Sequence, residues 1–96
     1  MTSRAIVVDE RDSVATALAD LAEGEVLALR VGGEDCRIQL CAPIAFGHKV
    51  ALMTIPAGAP VRKYGEVIGR ATQAIAPGEH VHLHNLESMR GRGDLR

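Results

Sequence analysis

Three times along this 96-residue chain an aliphatic residue is followed, three positions on, by a glycine, and three positions later by another aliphatic residue. The segments are Asp20–Leu27, Thr54–Val61 and Ala74–Val81, centred on Gly24, Gly58 and Gly78. Proline or alanine stands one or two positions before each glycine. Proline presets φ near the value a turn needs, and glycine accepts the positive φ that closes a type II turn. Each segment therefore reads as strand, tight turn, strand. The spacing between segments is too irregular for a solenoid. They read as hairpins or corners of one compact β domain, and the length leaves no room for two independent cores.

Strand candidates follow at Arg4–Val8, Glu25–Val31, Arg37–Leu40, Lys49–Ile55, Val67–Ala71 and Val81–Leu86, separated by turn residues. Gly32-Gly33-Glu34-Asp35 reads as a hairpin connection. One stretch is ambiguous. Val14, Leu18 and Leu21 fall at helical spacing behind the N-cap candidates Asp12 and Ser13, which favours a short helix over 14–21. The match of the same stretch to the strand-turn-strand pattern favours a strand instead. The domain is expected to span 1–87. Residues 88–96 are polar and glycine-punctuated, and read as a flexible C-terminal tail.

Composition removes several classes of function. Phe46 and Tyr64 are the aromatic residues, so stacking on nucleic-acid bases has almost nothing to work with. The net charge of −1 offers no general field for a polyanion. No apolar run is long enough for a membrane-spanning helix and no signal-peptide core is present, so a cytoplasmic address is expected. Cys36 and Cys41 form no C-x-x-C motif and read as idle thiols. The Arg92-Gly93-Asp94 tripeptide is too short to carry meaning. Charge is nonetheless uneven. Residues 1–40 hold eight acids against four arginines, whereas residues 41–96 hold seven Lys/Arg against four acids, with all four histidines. A small anion would prefer the second half.

Chemistry concentrates in Glu79-His80-Val81-His82-Leu83-His84-Asn85. On a strand, His80, His82 and His84 would share one face while Val81 and Leu83 faced the core. Two imidazoles in an H-x-H pair can ligate a metal with a third donor, and a neutral imidazole can move protons near pH 7. The plain alternative is a polar strand face. Phe46-Gly47-His48-Lys49 is the second candidate, because glycine lets backbone approach an anion and Lys49 offers an ammonium to a carboxylate. Lys63-Tyr64-Gly65-Glu66 with Gly69 is the third.

Taken in order, Val14-Ala15 through Gly24-Glu25, Phe46–Leu52, Lys63–Ala71 and Gly78–Asn85 resemble the SAF domain of the altronate/galactarate dehydratase family. In that family the sulfolactate sulfo-lyases carry the domain as a separate small (alpha) subunit. The resemblance covers about residues 10–86 and implies a mostly-β fold of the β-clip type. It implies a lyase acting on hydroxylated sugar acids or their sulfonated relatives, and a larger catalytic dehydratase-like subunit as partner, with a homo-oligomer also compatible. On this reading His48, His82 and His84 are the catalytic candidates, and Lys49, Tyr64 and Asn85 bind substrate. His80, His82 and His84 would hold a divalent metal, Fe(2+) or Mn(2+). The competing reading is a noncatalytic SAF module that binds a ligand or metal.

Overall fold

The computed structural model describes residues 4–88, and among them every regular element is a strand. No helix among them is long and apolar enough to cross a membrane. Strands β1 (Ala5–Ile6), β2 (Val14–Ala17), β5 (Lys49–Ala51) and β8 (His80–Val81) form a central antiparallel sheet in that order. Strands β3 (Val26–Val31) and β4 (Glu34–Gln39) form a separate hairpin. Strands β6 (Pro60–Lys63), β7 (Glu66–Ala71) and β9 (Leu86–Ser88) form a third sheet. Ser88, the first residue of the expected tail, pairs with Gly69; residues 89–96 lie outside the described residues.

The glycine turns organise all of this, and there are four rather than three. Gly24, Gly47, Gly58 and Gly78 all sit at φ of 84–88°. In each turn the residue after glycine donates its N–H to the carbonyl three residues back, at 2.9–3.1 Å (Glu25 to Ala22, His48 to Ala45, Ala59 to Pro56, Glu79 to Ala76). Each turn also clasps one residue of another segment. The glycine N–H donates to that residue's carbonyl, and its N–H donates back to the carbonyl of the residue after glycine. The clasped residues are Leu40, Ala17, Ala71 and Ala51 respectively. The aliphatic residues that open the turns bridge in pairs, Leu21 with Ile44 and Ile55 with Ile75, each pair exchanging two backbone hydrogen bonds.

Side-chain alternation along β2 and β5 then gives the central sheet a core on both faces. Ala15, Ala17 and Val50 join Leu21, Leu27, Leu40 and Ile44 on one side. Val14, Ala51 and Val81 join Ile55, Val61, Ala71 and Ile75 on the other. The two clusters share one sheet, so they are two halves of a single domain. Small alanines in β2 let both layers approach it closely.

The helix over 14–21 is not formed. A helix would bury Leu18 beside Val14 and Leu21, whereas Leu18 is exposed and Val14–Ala17 is a strand. The supposed cap residues serve another purpose. The buried Asp12 carboxylate accepts the Gly65 N–H at 2.8 Å and the Asp9 N–H at 3.2 Å. The Ser13 hydroxyl accepts the Arg62 N–H at 3.1 Å, while Ser13 N–H donates to the Arg62 carbonyl. Both residues tie β2 to the β6–β7 hairpin. The expected hairpin at Gly32-Gly33 is present. The long expected strand Lys49–Ile55 stops at Ala51, and Ile55 opens the third turn instead.

The glycines are separable by what a β-carbon would meet. At Gly58 there is open space, so Gly58→Ala carries only the left-handed backbone penalty of about 1 kcal/mol. At Gly78 a β-carbon would run into the Gln39 carbonyl, which no rotamer change relieves. Gly78→Ala is expected to cost about 3 kcal/mol or more in urea unfolding. Equal midpoints for the two variants would show that the Gly78 turn is not pressed against β4.

Candidate functional site: a cluster of four imidazoles

The histidines converge, although not by the route their alternation suggests. Strand β8 ends at Val81, and residues 82–85 turn back. Asn85 causes the break. Its side-chain oxygen accepts the His82 N–H at 2.9 Å, and its amide donates to the His80 carbonyl at 2.9 Å. The Asn85 N–H closes the turn on the His82 carbonyl. Asn85 is 2% exposed with its amide committed to backbone, so it shapes the loop and does not offer itself to substrate. With the strand broken, Leu83 points outward at 84% exposure instead of into the core.

The second turn carries His48 to the same place. Val50 pairs with His80, and the clasp on Ala17 fixes the backbone on either side of Gly47. The His48 and His80 rings lie nearly parallel (8°), centroids 5.1 Å apart, with His48 Nδ1 2.9 Å from His80 Nε2. One of these nitrogens donates and the other accepts, so a single proton lies between the rings. The His82 ring stands edge-on to both, 4.1 Å from His48 and 5.4 Å from His80. His84 completes the group 5.4 Å from His80, on the exposed side.

Electrostatics weaken two of these bases, His80 and His82. Burial, then the positive charge of His82, His48, His84 and Lys49, holds His80 below the ordinary imidazole range. Burial, then His48, Lys49 and His84, does the same to His82. Lys49 is lowered by burial and by Lys63.

Lys49 does not sit among the imidazoles. It pairs with Thr16 and Val81, so by register it leaves the opposite face of the sheet from His80, and its charge reaches the cluster around the edge. Tyr64 belongs to another group. It is half exposed in the β6–β7 turn, at φ 56°, with Lys63 Nζ 4.8 Å from its ring centre. The two-residue turn that holds it takes positive φ at both Tyr64 and Gly65, as a type I′ hairpin requires.

The metal set expected from His80, His82 and His84 is not assembled. Among the described residues no three His, Cys, Asp or Glu side chains are arranged to hold a metal ion. Instead, His80 Nε2 is engaged with His48. The donors of this chain therefore do not fit a three-histidine centre by themselves.

A small all-β domain of clasped glycine turns, carrying imidazoles on two of them, is the class that fold and cluster define. The family model of the altronate/galactarate dehydratase SAF domain matches residues 3–89, and the chain belongs to that family. It is 46% identical over 83 residues to altronate dehydratase of Escherichia coli, covering 86% of this chain and 16% of that protein. It is 35% identical over 88 residues to the (2R)-sulfolactate sulfo-lyase subunit alpha of Chromohalobacter salexigens, covering 88% of this chain and 94% of that subunit. The corresponding subunit of Paracoccus pantotrophus is 45% identical over 56 residues, covering 58% of this chain and 84% of that subunit. The chain is thus a lyase-associated SAF domain. It spans 16% of the length of the altronate dehydratases it matches.

The depressed imidazoles make stability fall in acid. His80 and His82 bind protons more weakly in the folded chain than in the unfolded one. Their contribution is intact above the unfolded imidazole value of about 6.5 and is lost as pH falls from there through the lowered folded values. The melting temperature should decline between pH 7.5 and 5, and less steeply in His80→Gln. A parental and a variant profile that superimpose would refute the assignment.

Proposed function

We propose that this chain is the small subunit of a two-component carbon–oxygen or carbon–sulfur lyase, of the sugar-acid dehydratase or sulfolactate sulfo-lyase type. Its imidazole cluster forms one wall of the site where a hydroxylated anion undergoes β-elimination. The observation that carries this reading is the convergence of four imidazoles, His48 from the second clasped turn and His80, His82 and His84 from β8 and the turn Asn85 closes, with His80 and His82 held weakly basic.

Eliminating water or sulfite β to a carboxylate removes a weakly acidic α proton and protonates or releases the leaving group. An imidazole that is neutral near pH 7 accepts such a proton, and its conjugate acid returns one. His82 and His84 are assigned to this proton traffic. His48 shares a hydrogen bond with His80, which fixes the orientation of both rings. Lys49 leaves the other face of the sheet, so the groups this wall presents to substrate are the imidazoles. The wall is open, with His84 exposed, so a companion chain is needed to close a pocket and exclude water. The naming of its relatives as subunit alpha supports such a partner. Any divalent cation working here takes further ligands from the companion, because this chain does not assemble three.

The test is reconstitution with a dehydratase-like companion chain from the same organism. The 96-residue chain alone, with Fe(2+) or Mn(2+) added, should show no turnover. In the complex, His82→Gln should lower turnover about 10²-fold or more and leave the melting temperature near parental. Rescue by excess partner would assign the residue to assembly. Near-parental turnover with both His82→Gln and His84→Gln would overturn the catalytic reading in favour of a noncatalytic binding module.

A further inference from the structure

We propose that Phe46 and Leu83 are the two anchors by which this chain docks onto the companion lyase chain, so that docking and site closure are one event. The proposal rests on the lyase-subunit reading above and adds the surface that makes the contact.

Two large apolar side chains stand in water beside the imidazoles. Leu83 is 84% exposed and Phe46 is 66% exposed, the highest values among the large hydrophobic residues described. Phe46 precedes His48 by two residues and Leu83 follows His82 by one, and those two rings are 4.1 Å apart. The apolar pair therefore neighbours, along the chain, the two rings that meet at the centre of the cluster.

Both side chains are displayed on fixed backbone. The Phe46 N–H donates to the Asp20 carboxylate at 2.9 Å, one residue before the clasped Gly47. Leu83 sits inside the turn that Asn85 closes with three hydrogen bonds. A rigid display costs little ordering entropy when a partner arrives, and exposed aromatic and aliphatic anchors are what well-packed interface centres use.

The companion chain is the occupant these features fit. In the altronate dehydratases the same domain is 16% of a longer polypeptide, so a much larger remainder accompanies it. In the sulfo-lyases it is nearly all of a subunit designated alpha. Imidazoles flanked in sequence by two exposed apolar anchors suit a partner surface with two apolar sockets beside the cavity they complete. Seating Phe46 and Leu83 would cap that cavity with the imidazoles facing inward.

The experiment places photo-reactive benzoylphenylalanine at position 46, 83, 8 or 26 of the full chain in its native host and identifies the adducts by mass spectrometry. Val8 and Val26 are also exposed apolar residues, distant in sequence from the histidines, and serve as controls. Adducts from 46 and 83 to a dehydratase-like polypeptide are expected. Dehydratase-like adducts from 8 or 26 alone would overturn this surface and leave the lyase reading standing. Absence of any dehydratase-like adduct would overturn both, and adducts between copies of this chain from 46 and 83 would make the face a self-association surface. With the captured partner purified, Phe46→Ser with Leu83→Ser should weaken association at least about 30-fold while the melting temperature of the free chain stays parental. Unchanged affinity in that variant would sink the proposal.

Discussion

The structure depends on one backbone arrangement: a glycine at positive φ whose N–H, together with the carbonyl of the next residue, grips a residue from elsewhere in the chain. A two-stranded ribbon is marginal in water, and most strands here are only two to four residues long. The four clasps supply paired backbone bonds where the ladders have run out. They also set the position of Leu21, Ile44, Ile55 and Ile75, which fill the two apolar layers. Gripped alanines at 17, 51 and 71 let turn and strand backbones meet without a side chain between them.

The imidazole cluster follows from that arrangement. The second clasp fixes His48 and the fourth leads directly into His80. The pairing of Val50 with His80 brings the segments into register. Asn85 then folds the next residues back so that His82 joins the stacked pair. Bringing four basic rings together would be unfavourable if all were charged. Partial burial and mutual repulsion resolve the conflict by holding His80 and His82 towards the neutral form.

Much of this was legible in the residues, and the failures have particular causes. Three of the turns announced themselves through proline or alanine before glycine. The fourth, Ile44-Ala45-Phe46-Gly47 with Val50 beyond, obeys the same spacing and has Ala45 two before its glycine, but the adjoining His48 and Lys49 make the segment read equally as an anion-binding loop. Helical spacing over 14–21 was accidental, because Val14 and Leu21 enter opposite cores and Leu18 enters neither. The grouping of the histidines was legible; their mode of grouping was not. Alternation cannot anticipate an asparagine side chain that outcompetes the ladder for the His80 and His82 backbone. Lys49, next to His48, exits by the other face, as alternation along β5 requires.

A sheet with a core on each face has no idle side. Five of the seven residues in β2 and β5 are claimed by one apolar layer or the other, and a change there disturbs packing. The turns escape this obligation, since what they owe the fold is a backbone shape and one buried aliphatic residue each. Phe46, His48, His82, Leu83 and His84 all occupy or adjoin such turns. The side chains displayed on these turns can therefore be exchanged with the interior left as it was.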